Sequence, residues 1–271
     1  MQRIINFLID RVALFSPLKR GLRYAVDRFD GLQYGSYGMS DEVALALSMA
    51  QICPSGAVID AGANKGDWSR TFLVGNKNVC KLIMIEPAPI HFASLEELVN
   101  SSSNTFFEGV AVGAESGALN LYFDSEGSGL SSLYERDLGH IGVIMRHNIS
   151  VPVLTLDEIV EKHELSSISF LKLDLEGHEI FALKGAAKLL KNNIISALAF
   201  EFGGCNIDSR TFFKDFWSLL VVEHCYKIYR ILPNRQLLYL SSYSETLERF
   251  SWQNFLACAP GICPTWPIKL G

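Results

Sequence analysis

The run Val58-Ile59-Asp60-Ala61-Gly62-Ala63-Asn64-Lys65-Gly66-Asp67-Trp68-Ser69 constrains the fold more than any other part of the sequence. An apolar stretch ends in an acidic residue, passes two glycines four apart and enters a helix-compatible segment. It reads as a buried strand, a tight turn and the start of a helix. Such a unit belongs to a layered α/β domain with a parallel sheet, whose ligands bind beyond the carboxyl ends of the strands. Glycine at the turn lets the backbone come close to a ligand. Neither common phosphate cradle is present: Asn64 stands where a dinucleotide fingerprint has its second glycine, and Gly66 precedes Asp67 where a Walker A loop has Lys. The acidic residue ahead of the turn suits a cationic or zwitterionic group better than a pyrophosphate. A purely structural strand-to-helix turn would have the same pattern.

The remaining chain extends this unit. Apolar strand-like runs at Ala57 to Asp60, Lys81 to Glu86, Thr105 to Val110, Ile168 to Asp174 and Ile195 to Phe202 alternate with helical patterns near Ser69 and at Phe92 to Val99, Asp157 to His163, Ile180 to Leu190 and Phe212 to Val222. Several of these strands lack in/out alternation, as strands covered on both faces do. Thr155 and Glu158 form a capping box at the start of one helix. Val43 to Ile59 is the longest stretch without charge, but Pro54 and Gly56 divide it into a buried helix, a turn and a strand. A mean hydropathy of +0.19 therefore belongs to a core and not to a spanning helix. Lys227 to Leu232, Leu237 to Leu240 and Phe255 to Ala259 are closely spaced strands that predict an antiparallel edge. The stretch from Ser125 to about Ser150 has no clear periodicity and reads as a substrate-side insertion or lid.

Charge divides the chain. Residues 1–30 hold six basic residues against Asp10, Asp27 and Asp30, whereas the whole chain of 271 residues carries a net charge of -5. Bulk nucleic-acid binding is excluded on that balance. Ile4, Ile5, Leu8, Val12 and Phe15 share one side of a helical pattern that breaks at Pro17, so residues 1–40 read as a helical extension of a domain at 41–271. The extension either packs on the domain or lies on an anionic membrane surface. The six cysteines form no CxxC pair, most sit in apolar runs, and no secretory signal is legible, which together indicate a reducing, cytoplasmic setting with peripheral contact at the inner membrane face as the further option.

Other acidic strand ends carry candidate chemistry. Glu86-Pro87 closes the second strand, where a carboxylate accepts both hydroxyls of a ribose. Asp174 and Glu176 follow a buried strand two residues apart, and strand alternation would point them the same way. They could face an acceptor, with Asp174 as general base, or hold a divalent metal together with Glu201; Glu176 could instead begin the next helix and complement its dipole. Glu201 ends the run Ile195 to Phe200 in the same manner. The six histidines lack zinc spacing, and His140 and His147 fall in the unassigned stretch. Phe212, Phe213, Phe216 and Trp217 recur at helical spacing and are expected in the core.

Asp60-Ala61-Gly62-Ala63-Asn64-Lys65-Gly66, Glu86-Pro87, Val110-Ala111-Val112-Gly113, Val153-Leu154-Thr155-Leu156-Asp157, Leu171 to Glu179 and Asn254-Phe255-Leu256-Ala257 occur in an order that resembles the FkbM family of S-adenosylmethionine-dependent methyltransferases. The resemblance covers roughly residues 55–260 and implies a class I methyltransferase (Rossmann-like) α/β fold, a mostly parallel seven-stranded sheet with an antiparallel C-terminal hairpin. It implies S-adenosyl-L-methionine as cofactor, held by Asp60 at its amino-acid end, by Gly62, Ala63, Asn64 and Gly66 at the turn, by Glu86 and Pro87 at the ribose, and by Val110 and Ala111 beside the adenine. Asp174 and Glu201 become the candidate catalytic residues, with no resident metal. The expected activity is O-methylation of a hydroxyl on a sugar, glycan or glycosylated metabolite, with a small-molecule or saccharide acceptor as partner. An NAD-dependent oxidoreductase and a non-catalytic binding module are the competing readings.

Overall fold

The computed structural model describes residues 16–29, 38–76 and 81–270. Its strands are β1 (Ala57–Ala61), β2 (Leu82–Ile85), β3 (Thr105–Glu108), β4 (Ala111–Val112), β5 (Gly117–Phe123), β6 (His147–Leu154), β7 (Ile168–Leu173), β8 (Ala197–Phe202), β9 (Lys227–Leu232), β10 (Gln236–Tyr239), β11 (Gln253–Cys258) and β12 (Ile268–Leu270). The main sheet has the order β12-β10-β9-β11-β8-β7-β1-β2-β3. Strands β3, β2, β1, β7 and β8 are mutually parallel, and β11 inserts antiparallel between β8 and β9. This is the expected class I arrangement with its antiparallel C-terminal pair. The sheet is wider than seven strands, because a turn with Asn234 and Arg235 at positive φ sends β10 back along β9, and β12 then adds beyond it.

Residues of β1, β2 and β7 are buried without exception, as expected for strands covered on both faces. Their alternation shows in the two core layers they serve. Ile59, Ala61, Leu171 and Leu173 pack on one face, while Val58 and Phe170 join Trp68, Phe72, Leu95 and Met49 on the other.

The helices are α1 (Ser16–Phe29), α2 (Gly38–Ile52), α3 (Asp67–Gly75), α4 (Phe92–Ser101), α5 (Leu156–Lys162), α6 (Glu179–Lys184), α7 (Ala187–Lys191), α8 (Cys205–Ser209) and α9 (Phe213–Phe216), the last running into a π-helical segment Trp217–Glu223. The capping box at Thr155 and Glu158 is present. Pro17 sits in the first turn of α1, where its missing N–H costs nothing. Two expectations are corrected. The helix expected over Ile180 to Leu190 is two, α6 and α7; Gly185 caps the first, its carbonyl accepts the Asp157 N–H, and a Cβ there would sit 2.1 Å from the Gly113 carbonyl oxygen. Phe213 and Phe216 are core residues, but Phe212 precedes α9 and is exposed.

The unassigned stretch acquires a role in a second, three-stranded sheet of order β4-β6-β5. The predicted strand Thr105 to Val110 stops at Glu108, whose carboxylate is tied to Lys162 and His163, and the chain then enters this smaller sheet as β4. His147 begins β6, and residues 124–146 link β5 to β6 over the carboxyl end of the main sheet. On α1, buried Asp27 is paired with Arg249 at 2.7 Å. The apolar periodicity at Ile4 to Phe15 lies outside the described residues. Among the described residues no helix is long and apolar enough to cross a membrane.

Candidate functional site

The turn after β1 is fixed from three sides. Gly62 and Ala63 donate their N–H groups to the Ile85 carbonyl, and the Asp174 N–H donates to Ala61, so the ends of β1, β2 and β7 are bonded to one another. Gly62 has φ +83, and a Cβ there would lie 1.9 Å from the Asp174 carbonyl oxygen, which only glycine avoids. Gly66, also at positive φ, caps α3 and abuts Leu95 and Leu98, so it shapes the turn without facing an opening.

A cavity opens beside this turn. Gly62, Asn64, Glu86, Pro87, Val110 and Ala111 line one side of it, with Ser128 to Leu133 of the insertion opposite. Glu86 accepts the Asn64 N–H at 2.8 Å and the Ala88 N–H at 2.9 Å, which aims its carboxylate along the cavity wall. Burial raises the Glu86 pKa, and those two amide bonds work against the rise. A second cavity of about 650 Å³ is lined by Glu42, Trp68, Lys172, Glu201 and Trp252, and a third of about 840 Å³ spans Glu42, Trp68 and the glycine turn, including Ala63. Asp174 lines all three. The three cavities adjoin at Asp174.

Asp60 does not face any of these openings. It is fully buried; Ser69 Oγ donates to one oxygen at 2.7 Å, and Lys172 Nζ lies 3.3 Å from the other. The expected contact with the ligand's amino-acid end is therefore corrected to an action from behind the turn, because the side chain of this strand-end residue points into the core layer beneath α3. Lys172 also lies 3.1 Å from Asp174. Burial works against its charge, but Asp174, Asp60 and Glu42 outweigh that effect and hold its pKa above the ordinary value.

Asp174 and Glu176 are not strand residues, because β7 ends at Leu173, so alternation does not align them. Nor does Glu176 begin the next helix, which starts at Glu179. It sits at φ +49 in the intervening turn and pairs with Arg136 of the insertion, which also reaches Asp208. Burial and the neighbouring Asp174 push the Glu176 pKa up to about 7, against the pull of Arg136. Ser132 Oγ donates to the Glu176 carbonyl and Tyr134 bonds His178 at 2.8 Å, so the insertion is tied to this turn at several points. Burial, followed by the nearby carboxylates, raises the Glu201 pKa well above its ordinary value. Among the described residues no group of three or more His, Cys, Asp or Glu is arranged to hold a metal ion.

Sequence reasoning did not find Glu42, Arg136 or Lys172. Lys172 carried the one available signal, a cation inside an otherwise apolar strand; the other two come from distant segments.

Residues 60–233 match the methyltransferase FkbM domain. No curated protein matches the chain significantly. Among solved structures, an FkbM methyltransferase from Methylobacillus flagellatus KT is 18% identical over 74% of this chain and 43% of its own, with a TM-score of 0.46. WbdD is 9% identical over 82% of this chain and 40% of its own, with a TM-score of 0.41. A precorrin-6y C5,15-methyltransferase from Geobacter metallireducens GS-15 is 8% identical over 80% and 87%, with a TM-score of 0.40. The chain spans less than half the length of the first two.

Proposed function

The chain belongs to the methyltransferase FkbM domain family, and from that premise we propose that it transfers the methyl group of S-adenosylmethionine to a hydroxyl of a sugar, glycan or glycosylated metabolite. The observation that carries the reading is Glu86, held by the Asn64 and Ala88 amides on the wall of a cavity that meets two others at Asp174. The cofactor supplies a methyl group already activated on a sulfonium. The chain then has to bind, align and manage one proton.

In this reading Glu86 takes the ribose hydroxyls, and Pro87, Val110 and Ala111 flank the adenine. Gly62, Ala63 and Asn64 give the backbone surface for the methionine part, with Gly66 and Asp60 holding the turn in shape. Asp174, fixed by Lys172, stands between donor and acceptor, and Glu201 faces the acceptor. The insertion 124–146 walls the site from water. The exposed Leu18, Leu22 and Val26 of α1, with Arg20 beside them, favour contact of that helix with an anionic membrane surface, while Asp27 anchors it to the domain.

Thermal unfolding with S-adenosylhomocysteine or NAD, on wild type and Glu86→Ala, tests the reading. A ligand at about 100 times its Kd adds about 2.7 kcal/mol. Stabilisation by S-adenosylhomocysteine that Glu86→Ala weakens is expected. Stabilisation by NAD alone would replace methyl transfer with a nicotinamide enzyme.

A further inference from the structure

The second cavity holds features that donor binding leaves unused. Trp68 is only 5% exposed and lines both the second and third cavities, yet its indole N–H has no hydrogen-bond partner among the described residues. Its ring is stacked on Phe72 and Phe170, with ring centroids 5.4 Å and 6.3 Å apart. A buried donor left unpaired is costly, and a ligand oxygen in the cavity would satisfy it. Trp252, partly exposed, adds an aromatic wall and bonds Glu201 through its side chain. Glu42 and Trp252 lie outside the family segment 60–233, so this wall is particular to the flanking parts of the chain.

The charge on the cavity restricts what enters. Lys172 is the one cation lining the second cavity among the described residues, and it is already paired with Asp60 and Asp174. Lys65, which lines the third, is paired with Asp67. Glu42, Asp174 and Glu201 supply negative charge or acceptor oxygens, so a phosphate or uronate finds no free counter-ion. Of the three carboxylates, Asp174 is neutralised by Lys172 and Glu201 is engaged by Trp252.

We propose that an uncharged vicinal diol of the acceptor enters this cavity past Trp252, gives the proton of its reacting hydroxyl to Glu42, and accepts a hydrogen bond from the Trp68 indole at the adjacent oxygen. The inference rests on the methyl-transfer reading. The hydroxyl oxygen forms a bond to the methyl carbon, the carbon–sulfur bond breaks with its electron pair left on sulfur, and the proton passes to the Glu42 carboxylate and then to solvent. Burial raises the Glu42 pKa to about 7 against the pull of Lys172, with Asp174 and Asp60 adding to the rise. The other charged groups around it are Glu201 across the cavity and Lys65 and Asp67 at the turn; Asp41, next in sequence, is paired with Arg235. A base with that value is well matched to neutral pH.

The test uses the full chain, Glu42→Gln and Trp68→Phe, with S-adenosylhomocysteine as the donor-site probe and neutral methyl glycosides, plus glucuronate, as acceptor probes. Both variants should bind S-adenosylhomocysteine within about twofold of wild type. Failure of wild type to bind it would overturn the underlying reading, and loss in Trp68→Phe alone would assign the indole to the donor and overturn the inference. Carbon-13 spectra of the glutamate carboxyls should show, besides Glu176, a second group titrating near pH 7 that is missing in Glu42→Gln while the Glu176 signal stays; an ordinary midpoint for Glu42 refutes its role. In transfer assays Glu42→Gln should lose about 100-fold in kcat and the rise in rate between pH 6 and 8. Trp68→Phe should raise KM about tenfold with kcat retained. An unaltered pH profile in Glu42→Gln, methylation of glucuronate in preference to the neutral glycosides, or no glycoside methylated by wild type would each overturn the assignment.

Discussion

Lys172→Met removes the one cation that compensates Asp60 and Asp174 among the described residues, while keeping the length and apolar stem of the side chain. Lys172 Nζ lies 3.3 Å from Asp60 and 3.1 Å from Asp174, its side chain is 9% exposed, and that of Asp60 is fully buried. At an effective dielectric constant of about 20 the Asp60 contact alone corresponds to about 5 kcal/mol of Coulomb energy. Asp60 keeps its bond from Ser69, so the expected net loss is about 3–5 kcal/mol, as for other buried pairs with one partner removed. In a domain of this size each kcal/mol lowers Tm by about 2–4 °C, so a fall of about 10 °C is expected by calorimetry. The folded-state pKa of Lys172 lies above the free value of 10.5, so in the wild type its charge contributes fully below that pH and is lost only as pH rises beyond it. A loss below about 1 kcal/mol would refute an electrostatic role for Lys172.

Two further substitutions examine the turn and the insertion. Gly62→Ala places a Cβ 1.9 Å from the Asp174 carbonyl oxygen at φ +83, and should cost at least about 3 kcal/mol in urea unfolding and abolish S-adenosylhomocysteine binding; a stability within about 0.5 kcal/mol of wild type contradicts this geometry. Arg136→Met leaves Glu176 and Asp208 without their shared cation, and should accelerate proteolytic cleavage within residues 124–146 severalfold while the main sheet keeps its cooperative unfolding. Unchanged cleavage would mean that the Arg136 pairs do not hold the insertion in place.

Strand and helix types were legible wherever local chemistry decided them. The apolar runs Ala57 to Asp60, Lys81 to Glu86 and Ile168 to Asp174 read as buried parallel strands, and Thr155 with Glu158 fixed a helix start through bonds made within four residues. The insertion was opaque for the opposite reason. Tyr134, Arg136 and Ser132 are held by His178, Glu176 and Asp208, partners forty or more residues away that leave no periodic trace. Asp174 and Glu176 both line the first cavity, as their spacing suggested, but through the turn after β7 and not through strand alternation, because the strand ends at Leu173.

The sequence determined the α/β class, the glycine turn and the family, since each depends on residue types at fixed short spacing. Only the tertiary structure decided that Asp60 serves the core through Lys172, that Arg136 reaches Glu176, and that Glu42, Trp68 and Trp252 line one cavity. Those relations are distances between segments far apart along the chain, and the energy of a charge or an indole N–H depends on which neighbours the fold brings to it.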